Sequence, residues 1–263
     1  MIAIVTAGGE IQPDEPLYAV THGGLKAMLE IGGKPMVQWV LDALSASREV
    51  ERVIVVGLPP ETGLDCSLPL SLLPDQGDMM SNIRAGAMEC MRIDPASTHA
   101  IVAAADIPAL RGETVDWLAL QAKERDRDVY FTVLERATLE KEYPGIKRTF
   151  VRLKNIEVCS GELHCFRLQT ALQESALWNH LVDARKSPFR QASLLGYDTL
   201  FFLTLRQLSL KDAETTVSKR LGIKGQAVIS PYPEIGMDVD KPAHLEFMRE
   251  YLARRHASNA ANA

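Results

Sequence analysis

The chain begins with a regular alternation of short apolar runs and segments in which apolar residues recur every three or four positions. Residues 2–6 are the first apolar run, which stops at Ala7-Gly8-Gly9 and predicts a buried strand. Residues 35–47 have apolar side chains at helical spacing and predict a helix, and residues 52–57 predict a second buried strand. A strand, a helix and a second strand in this order predict a βαβ unit, which builds a parallel sheet.

The same alternation continues to residue 134, after which the pattern changes. Helices are predicted at residues 82–91 and 112–124, and strands at residues 99–105 and 129–134. Three short β-like segments follow, at residues 149–154, 157–159 and 163–168. The remaining predictions are helices at 169–186, 211–221 and 242–255, a strand at 227–230, and a disordered tail at 256–263.

Together these elements predict an α/β fold with three layers, in which a mostly parallel, Rossmann-like sheet carries a small antiparallel extension at its edge. We expect a single domain over residues 1–255, because no internal repeat and no linker rich in Pro, Gly or Ser divides the chain. Short edge strands in the extension are able to pair in a homodimer.

Composition and charge restrict the partners. The chain has 263 residues, of which 46% are hydrophobic and 24% charged, and this mixture excludes a largely disordered or fibrous protein. Its net charge of -5 provides no broad positive field, so we expect no nucleic-acid partner, although a small phosphorylated molecule needs only a few local donors. No apolar window approaches the length of a membrane span, no leader is recognisable, and the four cysteines form no C-x-x-C pair. We therefore expect no membrane partner, reduced thiols and a cytoplasmic protein.

Residues that follow the predicted strands are the first candidates for a site, because ligands of an open parallel sheet bind beyond the carboxyl ends of its strands. After the first strand, Ala7-Gly8-Gly9 exposes backbone donors, and Lys26 and Lys34 bring positive charge suited to phosphate. A Gly-Gly turn alone more often predicts only a turn. The chain lacks the G-x-G-x-x-G and G-x-x-x-x-G-K-[ST] motifs, which argues against a dehydrogenase and a P-loop ATPase.

Two aspartates occupy further strand and helix ends. Asp106 follows the strand at residues 99–105, where a carboxylate needs a partner or a cation, although it is equally explained as a cap on the next loop. Asp240 lies just before the last helix, with Pro242 near the first turn, and its spacing alone favours a helix cap. If the fold brings them together, the two carboxylates suit Mg²⁺, which prefers one or two carboxylates and substrate phosphates.

Four segments in a fixed order carry a resemblance to a known family. They are Ala7-Gly8-Gly9, the stretch from Leu25-Lys26-Ala27 to Gly33-Lys34-Pro35, Ala105-Asp106-Ile107-Pro108, and Asp238-Val239-Asp240-Lys241-Pro242. In this order they resemble the MobA-like NTP transferases of the nucleotidyltransferase superfamily, from residue 2 to about residue 250. The resemblance implies a glycosyltransferase-A-type Rossmann-like fold of the nucleotide-diphospho-sugar transferase type. It also implies Mg²⁺-dependent transfer of an NMP group from an NTP to a phosphorylated small-molecule acceptor, with release of pyrophosphate.

Site residues follow from the resemblance position by position. It implies that the backbone of Ala7, Gly8 and Gly9 faces the nucleotide. It implies catalytic roles for Lys26, which contacts the nucleotide phosphates, and for Asp106, which holds Mg²⁺ together with Asp240.

Two further regions have weaker counterparts in the family. Ser81 and Asn82 lie where relatives contact the base and ribose, but Ser81 is equally well explained as the N-cap of a helix. Arg148 and Gly161 lie where relatives approach the acceptor, but a solvated strand face explains Arg148 and Arg152 equally well.

The chain also departs from the family pattern. No arginine stands between Gly9 and Lys26, Leu25 replaces the usual proline before the lysine, and the loop between them carries acidic residues. Two alternatives therefore stay open beside the nucleotidyltransferase: a glycosyltransferase that uses a nucleotide sugar, and a catalytically silent nucleotide-binding protein.

Overall fold

The computed structural model describes residues 1–173 and 202–261, together with Ser187 and Leu194. In this part of the chain a nine-stranded sheet and a separate two-stranded ribbon, β2 and β3, are flanked by helices. The strands are β1 (Ile2–Thr6), β2 (Glu30–Ile31), β3 (Lys34–Pro35), β4 (Arg52–Val56), β5 (Leu70–Leu73), β6 (His99–Ala104), β7 (Val129–Glu135), β8 (Val151–Arg152), β9 (Glu157–Ser160), β10 (Leu163–Arg167) and β11 (Gly225–Ile229). The helices are α1 (Tyr18–Thr21), α2 (Met36–Ser45), α3 (Met79–Ile93), α4 (Gly112–Glu124), α5 (Arg136–Glu142), α6 (Leu168–Ala171), α7 (Leu210–Leu221) and α8 (Pro242–Ala261).

The sheet is mixed but mostly parallel. Its order is β5-β4-β1-β6-β10-β7-β9-β8, and β11 pairs with β7 on the side away from β10. Strands β1, β4, β5 and β6 are mutually parallel, whereas β10 runs antiparallel to both β6 and β7. From β1 the chain moves outward to β4 and β5 and then crosses to β6 on the other side of β1. The strand order therefore reverses at β1 and β6, and the carboxyl ends of the strands at such a switch point are the usual ligand position in open sheets.

Helices cover both faces of the sheet, as the predicted three layers require. Ala3 and Val5 of β1 point into one core, which is closed by α2, α4 and α8. Ile2 and Ile4, on the opposite face of the same strand, point into a second core, which is closed by α3 and α6. Because a strand alternates its side chains between faces, a run that is apolar at every position fits a strand covered on both sides.

The antiparallel extension differs from the prediction in its position. Its strand β10 is inserted between β6 and β7 inside the sheet, whereas β9 pairs with the C-terminal half of β7 and with β8. Strand β5 and helix α5 were not predicted. Strand β5 is a short edge strand that follows Pro69. Helix α5 follows β7 directly, and no turn residue in the sequence marks its start. Both lack the long periodic pattern from which elements are recognised.

At the C-terminal end, α8 continues to Ala261, beyond the helix predicted at 242–255. Residues 257–261 are Ala-Ser-Asn-Ala-Ala, and the high helix propensity of alanine favours this continuation. Of the helix predicted at 169–186, α6 covers the start, and most of the remainder lies outside the described residues. In the described part of the chain all four cysteines are free thiols, and none of the helices is both long and apolar enough to cross a membrane.

Candidate active site

Glycines shape the backbone at the carboxyl ends of β1 and β4. Gly57, directly after β4, has a φ of 114°, and a Cβ there would collide with the backbone nitrogen of Gly8. Gly57 therefore lets the two strand ends lie against each other. Gly8 and Gly9 are exposed, whereas the N–H of Ala7 donates to the carbonyl of Val56 at 2.8 Å and is not available to a ligand.

The loop before α3 packs against Gly8 through a side-chain pair. The amide nitrogen of Asn82 donates to Asp75 at 2.8 Å, and its amide oxygen accepts from the N–H of Gln76 at 2.8 Å. A Cβ on Gly8 would collide with both Asp75 and Asn82. Asn82 is buried and holds the loop at residues 75–78 against the glycine turn. Asp75 was missed in the sequence analysis, since no motif distinguishes it from an ordinary loop aspartate.

Ser81 is not the N-cap of α3, which corrects that interpretation of the sequence. Asp78 is the N-cap: its carboxylate accepts from the N–H of Ser81 at 2.9 Å and from the Ser81 hydroxyl at 2.5 Å. These two hydrogen bonds to Ser81 hold the pKa of Asp78 below its usual value.

Replacing Asp78 by alanine is expected to lower the free energy of unfolding by about 1 kcal/mol, because the first turn of α3 loses its cap. Ser81→Ala removes the hydroxyl that donates to Asp78 but keeps the hydrogen bond from the Ser81 N–H, so it is expected to cost less than Asp78→Ala. Since the pKa of Asp78 is depressed in the folded state, its contribution is present above the unfolded pKa, about 3.9, and disappears as the pH falls through the folded pKa. Urea unfolding of the wild type, Asp78→Ala and Ser81→Ala at pH 7 and pH 2.5 tests this. If the free energies of unfolding of the wild type and Asp78→Ala differ by the same amount at both pH values, the assignment of Asp78 as the cap is contradicted.

Lys26, Asp106 and Asp240 meet at the mouth of the sheet. The ammonium nitrogen of Lys26 lies 2.5 Å from Oδ2 of Asp106 and 2.5 Å from Oδ1 of Asp240. Asp106 follows β6, Asp240 precedes α8, and Lys26 begins a 3₁₀ turn, Lys26–Met28. The structure thus brings Lys26 into contact with Asp106, which is 80 positions away in the sequence, and with Asp240, which is 214 positions away.

Electrostatics at this cluster favour a cation. Burial by itself lowers the pKa of Lys26, but the charges of Asp106 and Asp240 and their hydrogen bonds outweigh it and raise that pKa above its usual value. Lys26 is therefore a charged ammonium at neutral pH. The second carboxylate oxygen of Asp106, Oδ1, is buried and has no hydrogen-bond partner among the residues described.

The geometry of the two carboxylates also fits a divalent ion. Both oxygens lie 2.5 Å from one nitrogen, so the distance between them is at most twice that value. An octahedral Mg²⁺ holds adjacent oxygens about 3 Å apart and opposite oxygens about 4.2 Å apart. The limit of 5.0 Å exceeds the larger of these spans by less than 1 Å, so at most a small side-chain movement lets Asp106 and Asp240 share one ion in the place of the Lys26 ammonium.

The segment that carries Asp240 is fixed by contacts on both sides. The N–H of Val239 donates to the carbonyl of Asp106 at 3.0 Å, which joins the two aspartate loops directly. Asp238, a buried residue, forms an ion pair with Arg148. Nδ1 of His244 lies 3.0 Å from the carbonyl oxygen of Asp238, and burial lowers the pKa of this histidine. Asp240 is thus held against Asp106 by its neighbours in sequence.

Arg148 and Gly161 lie beside this segment. Arg148 is largely buried, donates to the carbonyl of Ser160 at 3.1 Å and lies 3.6 Å from Glu162, so it is not on a solvated strand face. Gly161 is buried, and a Cβ there would collide with Thr132 and Ile235. The backbone of Glu162 links the two sides, because its carbonyl accepts from Ala104 and its N–H donates to Ile235.

Two basic residues considered in the sequence analysis are engaged elsewhere. Lys34 pairs with Asp42 and lies over the ring of Trp39, with its nitrogen 3.8 Å from the ring centroid. Arg152 is 53% exposed and pairs with Glu157 at 2.7 Å, as expected for a solvated strand face. Lys26 is therefore the lysine of the loop that reaches the two aspartates.

One buried group near the site was missed entirely. Glu234 is 2% exposed and accepts from Arg111 Nε at 2.9 Å and from the hydroxyl of Thr114. It lies in the 3₁₀ turn Pro233–Gly236, so this contact ties the start of the Asp238–Asp240 segment to α4. A single glutamate in a polar turn carries no periodic signal, and only the tertiary structure shows its burial.

Comparison with known proteins decides the family. The model of the family described as "MobA-like NTP transferase domain" matches residues 3–192, which is most of the chain. The chain belongs to this family. Enzymes of the family are nucleotidyltransferases and generally depend on a divalent metal ion. No curated protein sequence matches the chain.

Solved structures share the fold of this MobA-like chain. A hypothetical transferase from Thermus thermophilus has 30% identity and a TM-score of 0.77, over 93% of this chain and 98% of that chain. A 2-C-methyl-D-erythritol 4-phosphate cytidylyltransferase from the same organism has 15% identity and a TM-score of 0.54, and the match covers 96% of this chain and 98% of the cytidylyltransferase. CMP:2-keto-3-deoxy-manno-octonic acid synthetase, solved with CTP, has 16% identity and a TM-score of 0.53, and the match covers 97% of this chain and 99% of the synthetase. The last two show a shared fold and confirm the predicted Rossmann-like class.

Proposed function

We propose that this MobA-like protein acts as a single domain that transfers an NMP group from an NTP to a phosphorylated small-molecule acceptor and releases pyrophosphate, with Mg²⁺ as the cofactor. The observation that supports this most is the convergence of Asp106 and Asp240 on one cation, the Lys26 ammonium, at the mouth of the sheet. The exposed backbone of Gly8 and Gly9 lies at the end of the neighbouring strand, where a triphosphate can approach the main chain closely.

In this proposal each group has a defined task. Asp106 and Asp240 hold Mg²⁺, which supplies positive charge against the triphosphate when it is bound. Lys26 binds the nucleotide phosphates, and the backbone at Gly8 and Gly9 orients them. An oxygen of the acceptor phosphate attacks the α-phosphorus, the bond from the α-phosphorus to the bridging oxygen breaks, and pyrophosphate leaves with the electron pair. The protein contributes mainly by positioning and charge neutralisation.

This route needs no protein nucleophile, and the buried thiols agree with that. Burial raises the pKa of Cys90 to about 12 and that of Cys165 to about 12, so both stay protonated at neutral pH. A protonated thiol in an apolar core is a poor nucleophile. We assign these cysteines to packing.

Nucleotide selection is assigned to the loop before α3. Both ends of the Asn82 amide are occupied by Asp75 and Gln76, so Asn82 supports this loop from within. We propose that the loop backbone and Ser81 contact the base and ribose. CTP is the first nucleotide to test, because two of the structural neighbours are a cytidylyltransferase and a synthetase solved with CTP.

For the acceptor, we propose the side of the site formed by Arg148 and the turn at Gly161. Arg148 already faces the carboxylates of Asp238 and Glu162, so its positive charge is largely neutralised. Its main task in this proposal is to shape the acceptor side next to Asp240. A phosphate on the acceptor is then neutralised chiefly by Mg²⁺ and Lys26.

The test is a pyrophosphate-release assay with each of the four NTPs, Mg²⁺ and a panel of sugar, polyol and pterin phosphates. We expect release with one preferred NTP, in equal amount to an NMP-linked product, and loss of release when EDTA replaces Mg²⁺. Inertness across the whole panel would contradict the proposal. Transfer of a sugar from a nucleotide-sugar donor without pyrophosphate would instead support the glycosyltransferase. Nucleotide binding that needs neither Mg²⁺ nor Asp240 would support a silent binding protein.

A further inference from the structure

Lys26 occupies the position where its two carboxylate partners converge. Its side chain is 22% exposed, that of Asp106 is 20% exposed and that of Asp240 is 40% exposed, so the contact with Asp106 is the better shielded from water. The main chain of Lys26 is fixed: Ala27 is buried, and the N–H of Leu29 donates to the Lys26 carbonyl at 3.1 Å. The flexible four-carbon side chain is therefore the part of this residue that can move.

Two cations cannot share this position. Mg²⁺ approaches carboxylate oxygens to about 2.1 Å, and it would bind the same oxygens that the ammonium contacts at 2.5 Å. A divalent ion and an ammonium forced together at the distance of one ligand shell repel each other strongly in a partly buried site. Conversely, with neither cation present, two carboxylates this close would repel each other. One cation at a time is the stable arrangement.

We propose that Lys26 is the internal counter-ion of the Asp106–Asp240 pair in the free protein, and that Lys26 and a divalent cation occupy this pair alternately. Lys26 leaves the pair when its ammonium moves to the phosphates of a bound nucleotide. The free protein is then a weak metal site, and nucleotide and ion bind with positive coupling, because each removes the obstacle to the other. This inference rests on the proposed function and adds a binding order to it.

The first test measures Mn²⁺ binding without nucleotide, by the electron paramagnetic resonance signal of the free ion. We expect the wild-type protein to bind Mn²⁺ weakly and Lys26→Met to bind one Mn²⁺ at least tenfold more tightly. Lys26→Arg keeps the positive charge and is expected to behave like the wild type. Lys34→Met is the matched control, because Lys34 also pairs with an aspartate, Asp42, but away from the glycine turn.

Thermal unfolding gives a second readout of the same binding. Mn²⁺ is expected to raise the midpoint of Lys26→Met and to leave that of the wild type nearly unchanged, since a ligand stabilises only the state that binds it. If folded Lys26→Met binds Mn²⁺ no more tightly than the wild type, the proposal is overturned. Tight Mn²⁺ binding by the free wild type that is lost in Asp106→Asn overturns it as well, and this comparison does not depend on the folding of Lys26→Met.

Failure of this inference is separable from failure of the proposed function, because metal binding is measured without turnover. A gain of Mn²⁺ affinity in Lys26→Met, together with no pyrophosphate release from any NTP, would support the exchange and contradict the reaction. Pyrophosphate release by the wild type without that gain of affinity would support the reaction and contradict the exchange.

Discussion

Asp106→Asn is expected to lower the rate of pyrophosphate release by about 10²–10³-fold, comparable to the loss of one preorganised stabilising group in other enzymes. The substitution keeps the shape of the side chain and removes the negative charge that converges with Asp240 on a cation. Mg²⁺ binding and the alignment of the triphosphate both depend on that charge. The measurement is the steady-state rate at saturating NTP and acceptor over a range of Mg²⁺ concentrations.

Asp42→Asn is the control for this experiment. Asp42 also pairs with a lysine, Lys34, but on the exposed side of α2, and its loss is expected to leave the rate unchanged. Circular dichroism of both variants verifies that the fold is retained. If Asp106→Asn keeps the wild-type rate and the wild-type Mg²⁺ dependence, Asp106 is not a metal ligand.

Arg148→Met is expected to destabilise the protein by about 3 kcal/mol, because it leaves the carboxylate of Asp238 buried and without its charge partner. The side chains of Arg148 and Asp238 are only 12% and 10% exposed. Asp238 lies two positions before Asp240, so the same variant is expected to raise the Mg²⁺ concentration needed for half-maximal activity. Urea unfolding and the Mg²⁺ titration of activity measure the two effects.

Two further variants separate charge burial from packing. Arg152→Met removes an arginine that is 53% exposed, and it is expected to cost less than about 1 kcal/mol. In the Arg148→Met background, Asp238→Asn is expected to recover part of the lost stability, because position 238 then carries no unpaired buried charge. Equal stability of Arg148→Met and Arg152→Met would show that the Arg148–Asp238 pair does not stabilise the fold.

The central part of the fold could be predicted because its strands are covered on both faces. Each of β1, β4 and β6 is an almost continuous apolar run, which few other structures produce, and the helices between them show clear periodicity. Once these strands are parallel, their carboxyl ends lie along one edge. The proximity of Gly8 and Asp106 then follows from topology without further information.

The antiparallel insertion could not be predicted in the same way. Local pattern identifies β10 as a strand, but its position between β6 and β7 depends on pairing with residues far away in the sequence, such as Cys165 with Ile101. Alternating and continuous apolar runs specify which face a strand presents, not which neighbour it takes. Edge strands such as β5 leave an even weaker signal.

Within the site, residue type and order predicted which carboxylates converge, but not what balances them. The position of Lys26 between Asp106 and Asp240 results from the 3₁₀ turn Lys26–Met28, which no pattern in the preceding loop predicts. The pairing of Arg148 with Asp238 and the burial of Glu234 also depend on contacts between distant segments. Charged side chains have many possible partners in a sequence, and only the tertiary structure selects among them.

The most direct measurement of the central claim is a crystal structure of the protein with Mn²⁺ and a non-hydrolysable CTP analogue, or the analogue of whichever NTP proves active. We expect one anomalous peak with oxygens of both Asp106 and Asp240 at about 2.2 Å, close to the ligand distances of hard divalent ions. The Lys26 ammonium is expected on the phosphates and away from the carboxylates. A metal ion bound without either aspartate, or Lys26 still seated between them with nucleotide and Mn²⁺ present, would contradict the account.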